Sequence, residues 1–432
     1  MIKRVSLVIT VAVALMAVSC SSSSDVDFPQ GLERVDIELT AIEQNIAENQ
    51  YDFPVNLLSS AYETEEKGNI MVSPLSASMV MGMVANAIDA EDRTEILKTL
   101  NINEAELESY NAYMHKLLET LPTIDPKSTF SINNAFWLTN QANMSAGYNQ
   151  VLNDSYASEI GRFDEFNTTV INEINNWINQ KTSGGIRKLL EEEDADSSLQ
   201  TAWVNALYFK GNWYQKFDKT KTEISHFYHN YPNKSTYTNV EMMYGNKFRY
   251  CHYLLPKGGV DYDDVITSVM LPYGNETFIF TAILPSVNNP DIAATLKELT
   301  TEYWQKIDEI CAKESKSGNI AVCMPKITLE KTTDMIPILK SMGLNNTLDK
   351  YNGVSMSANL GLYNQYISLF RQSAVLDVDE EGSEIKVATV ATGGYAAAPG
   401  PPELIEFNRP FIYFVRERST GAVILAGVFS QP

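Results

Sequence analysis

Few side chains in the 432-residue sequence stand where they could do chemistry. There are four histidines: His115, His226, His229 and His252. His226-x-x-His229 would place two imidazoles on one face of a helix, the start of a metal site. The surrounding stretch is rich in tyrosine and reads as β, however, and no third ligand stands nearby. Paired acids such as Glu191 and Glu193 could in principle share acid–base work; their setting reads as a solvated acidic loop. GxSxG, HExxH, the P-loop and a GxGxxG between strand and helix are all lacking. The residues therefore support no enzyme mechanism, no metal site and no cofactor. Cys251, Cys311 and Cys323 are odd in number and irregular in spacing, which is neither a disulfide framework nor a zinc pattern, so they read as buried free thiols.

One segment near the C-terminus poses a different problem. DEEGSEIKVATVATGGYAAAPGPPE, from Asp379 to Glu403, opens on acids and a glycine, continues with strand formers, and ends in small residues and prolines. Read with the two-residue period of a strand, one face carries Ser383, Ile385, Val387, Thr389 and Ala391. The other carries Glu384, Lys386, Ala388, Val390 and Thr392. Both charges fall on one parity, a separation that a permanently solvated loop does not need and a strand slotted over a core does. Gly382 stands at the start, where a hinge needs free backbone angles. The competing reading is an ordinary edge strand.

The elements that would position this segment are legible from periodicity. Tyr51–Tyr62 reads as a helix. Ser73-Pro74 opens another, with proline at its first position. Phe130–Leu138 reads as a strand. Val170 begins a helix with Ile171, Ile174, Trp177 and Ile178 on one side, broken at Gly184-Gly185. Thr201–Phe209 is a near-continuous apolar run, the mark of a strand buried on both faces. Val265–Leu271 and Phe278–Leu284 form a hairpin around YGNE, and Phe411–Val415 and Ala422–Val428 a second around RERSTG. Helices crowd the first half and strands the second, an α+β arrangement.

Composition sets outer bounds. The chain is 44% hydrophobic and 20% charged, ordinary for a globular protein with a large core, and carries a formal charge of −21. Nucleic acid or heparin binding needs clustered Lys and Arg, which so acidic a chain does not supply. At the N-terminus, MIKRVSLVITVAVALMAVSC has a basic start and an apolar run from Val5 to Val18, too short to span a bilayer comfortably. Residues 1–19 read as a signal peptide. Small residues before Cys20 resemble a bacterial lipobox, with Ala17 where that motif usually has Leu. Cys20 would be lipidated, and residues 20–45, in which SSSSD follows the cysteine, would form a flexible tether. The competing reading is cleavage nearby with Cys20 unmodified. The expected location is extracytoplasmic, anchored to a bacterial membrane and facing either the periplasm or the exterior.

Five blocks in order resemble the serpin family of serine protease inhibitors. NIMVSPLSASMVMGMVANAI resembles its Asn-x-x-x-Ser-Pro-x-Ser helix start, and INNWINQKTSGGIRKLL its Asn-x-Trp block. WVNALYFKGNW, Trp203–Trp213, is similar to the central strand motif. MPKITLE with the later MGL, and FNRPFIYFVRERSTGAVILAGVFSQP, complete the series. They run through residues 46–432, which would be one serpin domain. The resemblance implies a fold of three β-sheets and about eight to nine helices, with an exposed reactive-centre loop over about residues 380–403.

The resemblance also implies a mechanism in which the protein is a suicide substrate. A protease cuts the loop and forms an acyl-enzyme, and the freed loop inserts into the main sheet and drags the protease along, about 3.3 Å per residue. Ten inserted residues add on the order of ten backbone hydrogen bonds at roughly 1 kcal/mol each. Burial of Ile385 and Val387 adds roughly 1.5–3 kcal/mol each. The hinge would comprise Glu380, Glu381, Gly382, Ser383, Ile385 and Val387. Ile385, Lys386 and Val387 replace the family's usual alanine run, and their bulk would slow insertion. Ser73, Ser76 and Asn205 would lie in the polar shutter beneath the central strands, and Trp213 at the breach where insertion begins. Gln372 aligns with a histidine of many members; an amide can hydrogen-bond but cannot titrate. Counted on from Glu380, the scissile bond falls at Ala396–Ala397, within a window from Tyr395 to Ala398. The alanines suit an elastase-like protease, Tyr395 a chymotrypsin-like one, and a cysteine protease is a further class of partner. The inhibitor is expected to be a monomer. The alternative is a non-inhibitory serpin acting as a surface binding or structural protein, against which the even–odd hinge pattern argues.

Overall fold

The computed structural model describes residues 33–65, 68–248, 252–256, 265–313, 320–382 and 403–432. The expectations for Cys20, Cys251, Ser383, Ile385, Val387, Tyr395, Ala396 and Ala397 lie outside them. From Arg34 onward the chain forms one compact unit.

Strands make up its hydrogen-bonded frame. A six-stranded sheet has the order β1 (Ile70–Val72), β17 (Val423–Phe429), β16 (Phe411–Glu417), β9 (Phe278–Leu284), β8 (Val265–Pro272), β7 (His252–Pro256). Both expected hairpins are in it, β8 with β9 and β16 with β17. A four-stranded sheet has the order β15 (Glu403–Glu406), β10 (Ile320–Pro325), β6 (Tyr237–Phe248), β5 (Glu223–Tyr228). A three-stranded sheet runs β3 (Glu159–Phe163), β2 (Ser128–Thr139), β4 (Thr201–Gly211). β11 (Ile327–Asp334) pairs with β14 (Arg371–Val378), and β12 (Val354–Met356) with β13 (Leu362–Gln365). Eleven α-helices stand among the described residues, more than the eight to nine expected, because single turns such as Ser357–Leu360 count among them.

Two helices flank the sheets at the site. The first, Pro74–Ala87, starts where Ser73 Oγ accepts the Ser76 N–H at 3.3 Å. Nearly all its residues are buried, so it is a core helix rather than an amphipathic one. The second, Thr168–Lys181, is capped by Asn167 and is amphipathic. It packs Val170, Ile171, Ile174 and Ile178 onto Trp137 and Phe163 of the three-stranded sheet. Gly184, at φ +84°, turns the chain out of it.

One strand departs from expectation. The apolar run of β4 predicts burial on both faces, yet only Val204, Ala206 and Gly211 along it are fully buried. Its ladder partner is β2; β14, on its other side, pairs with β11. The side chains suit a central strand, but among the described residues the strand has one neighbour, and much of it is half-exposed.

Candidate functional site: a parted sheet and its hinge

β4 and β14 form the two lips of a slot. Two cavities of about 480 Å³ each open along it. The upper one is walled by Leu207, Tyr208 and Phe209 of β4 and by Ser373 and Val375 of β14. The lower one is walled by Thr201, Trp203 and Val204 on one side and by Ile367, Phe370 and Arg371 on the other. Since Arg371 borders the lower cavity and Asp377 the upper, the two lips run parallel, as the flanks of one missing strand would.

The lips meet at the top. Gly382 forms an isolated antiparallel bridge with Asn212 just beyond β4. A side chain at Gly382 would collide with the Gly211 carbonyl and stand 2.5 Å from Asn212 Cα, so glycine is required by close approach as well as by its φ of +151°. Asp379 shapes the turn: its Oδ1 accepts the Glu381 N–H at 2.8 Å and the Gly382 N–H at 3.2 Å. Trp213, stacked on Tyr273 at 4.4 Å, donates its backbone N–H to Glu381 O and its indole N–H to Asp379 O, both at 2.8 Å. The expected hinge and breach residues are thus in direct contact.

The two acids expected in the hinge are buried rather than solvated, with Glu380 5% and Glu381 9% exposed. Buried carboxylates need partners. Glu381 pairs with Lys216 and, at 2.9 Å, with Lys219. Glu380 accepts from Thr222 Oγ1 at 2.6 Å and pairs with Lys326 at 3.2 Å, which also holds Glu241. Burial pushes the Glu380 carboxyl up, but the Thr222 hydroxyl and Lys326 more than reverse it and hold it below the usual carboxylate range. Burial likewise raises Glu381, and Lys216 and Lys219 outweigh it. Lys216, Lys219, Thr222 and Lys326 escape sequence reasoning, since they come from distant segments. The one available signal is that adjacent acids, if buried, demand cations.

The residues expected in the shutter divide into two groups. Ser73 and Ser76 border the upper cavity. Gln372 grips Ser73 at two points, its Nε2 donating to Ser73 O at 2.7 Å and its Oε1 accepting the Ser73 N–H at 3.0 Å. Ser73 Oγ donates to Ile424 O at 2.7 Å. Asn205 joins a different pair, donating to Asn134 Oδ1 at 2.8 Å, and its own Oδ1 is buried without a hydrogen-bond partner among the described residues. It sits on β4 between the stretches that wall the two cavities.

The other candidates are accounted for structurally. His226 lies on β5 and bonds Asn239 at 2.9 Å, and His229 bonds Thr238 at 2.9 Å. Glu191 and Glu193 are exposed. Cys323 is a half-buried free thiol that burial, then Glu406 and Glu223, push up to about 11, which suppresses thiolate chemistry at neutral pH.

This geometry has relatives. Residues 48–432 match the family model described as Serpin (serine protease inhibitor). The chain is 27% identical to Iripin-1 of Ixodes ricinus over 388 residues, 88% of this chain and 93% of that one. It is also 27% identical to the leukocyte elastase inhibitor of Homo sapiens over 393 residues, 88% of this chain and 97% of that one. Among solved structures, the thermophilic serpin tengpin in its native state superposes with a TM-score of 0.77 at 25% identity, covering 93% of this chain and 98% of that one. Fold, slot and matches agree that this chain belongs to the serpin family.

Proposed function

We propose that the protein inhibits a serine protease as a suicide substrate, taking its own cleaved loop into the slot between β4 and β14. The observation that carries this reading is the slot itself: among the described residues, two parallel strands, each hydrogen-bonded on one side, with open volume between them and Gly382 pinned at the upper end. An entering strand would complete two ladders at once. No nucleophile takes part from this chain; the chemistry is the protease's, and the inhibitor supplies the strain that stalls deacylation.

The reactive bond is Ala396–Ala397, with Tyr395 as the alternative, and the target class is elastase-like, in keeping with the small alanine side chains. The relative named as an elastase inhibitor is consistent with this choice. The mature chain acts outside the cytoplasm, tethered through a lipid on Cys20, and Cys20→Ala should release it from the membrane fraction. The decisive experiment is incubation with elastase followed by denaturing electrophoresis. A covalent complex is expected from the wild type, with loss of the complex in Ser383→Arg and a shift to trypsin-like targets in Ala396→Arg. Complete turnover of the loop with active protease and no complex would refute the inhibitor reading.

A further inference from the structure

The connection from the helix Thr168–Lys181 to β4 borders both cavities: Ser183, Gly185 and Arg187 face the upper one, and Leu190, Asp196 and Leu199 the lower. It is therefore a strap laid along the slot. Its inner end hangs from the helix. Asn175 accepts the N–H groups of Leu189 at 2.9 Å and Leu190 at 3.0 Å and donates to Leu190 O at 2.8 Å. Its outer end reaches the opposite lip. Asp194, whose side chain is 9% exposed, forms an ion pair with Arg371, the first residue of β14. Asp194 also accepts the Glu191 N–H at 2.7 Å, which fixes the turn that presents it.

We infer that the Arg371–Asp194 pair is a clasp that closes the strap over the lower half of the slot and sets how far an entering strand is drawn in. This rests on the insertion reading above. A strand entering from Gly382 meets the upper cavity first, walled by residues 207–209 of β4, and reaches the level of residues 201–204 only later. At about 3.3 Å per residue, its first five residues span roughly 17 Å and stay above the clasp, whereas ten span roughly 33 Å and reach it. Deep insertion therefore requires the clasp to open and shallow insertion does not. Because the pair is only partly sheltered, salt weakens it. Arg371 and Asp194 are positioning residues: neither touches the protease.

The test uses the uncleaved protein and two synthetic peptides, Ser383–Val387 and Ser383–Thr392, with uptake followed by native gel and thermal midpoint. The proteins are the wild type, Arg371→Met, Asp194→Asn, and the exchanged double variant Arg371→Asp with Asp194→Arg. Expected is about tenfold faster uptake of the ten-residue peptide by each single variant, a slow rate restored by the exchange, and wild-type uptake that accelerates with salt. The five-residue peptide should enter all four at one rate, a pattern that general destabilisation would not produce. One rate for the long peptide in all four proteins, or uptake in none, overturns the clasp. If the long peptide separates the variants while none forms a protease complex, the clasp stands and the inhibitor reading falls. If all four form complexes and take up the long peptide equally fast, the inhibitor reading stands and the clasp falls.

Discussion

Strands β9, β16 and β17 on one side and β4 with β14 on the other end in different states, although β4 is largely apolar like the first three. Every residue of the first three is buried, and each strand has a ladder on both sides. Among the described residues β4 and β14 have one ladder each, and much of β4 is half-exposed. Val, Leu, Phe and Tyr are as strand-prone in one sheet as in the other, so propensity does not explain the difference. The first sheet found all its neighbours within the fold. Among the described residues the second is one strand short, and on the proposed function the difference is free energy that an entering strand would release.

The largest test of that contrast is to fill the gap. Cutting the loop should raise the thermal midpoint by about 10 °C or more if ten new hydrogen bonds form, measured by calorimetry on nicked and intact protein. An unchanged midpoint would mean that the slot takes up nothing.

A pair of truncations sharpens the contrast. Phe414→Ala, in the complete sheet, should cost about 3–5 kcal/mol in both forms. Leu207→Ala, on the half-exposed lip, should cost about 1 kcal/mol in the intact form and about 2–5 kcal/mol after cleavage, when the site closes over. Equal costs before and after cleavage would break the comparison.

Smaller effects are expected at the hinge that joins the two lips. Lys326→Ala removes the lysine paired with the buried Glu380 and should destabilise the intact form by about 1–3 kcal/mol. Acid should act in the same direction. Glu380 and Glu381 have native values depressed from 4.5, so their stabilisation is complete above that unfolded value and is lost as pH falls through the lower native values. Thermal midpoints of the intact protein should therefore fall more steeply below pH 4.5 than those of Glu380→Gln or Glu381→Gln. Parallel pH curves would show that the acids are not the latch.

The hairpins β8–β9 and β16–β17, the proline start after Ser73 and the amphipathic helix with Trp177 were legible because each is decided by neighbours a few residues apart, through alternation, turn chemistry or capping. The family itself was readable from ordered motifs. What local pattern could not convey was where each group would find a partner. Gln372 bonds Ser73 across 299 positions of sequence, and Glu380 and Glu381 draw on lysines 54 to 165 positions away. Thr201–Phe209 reads as a doubly buried strand because its side chains are suited to that role. Only the tertiary structure decides that, among the described residues, β4 has a strand on one side alone, since burial of a strand depends on what else the chain brings beside it.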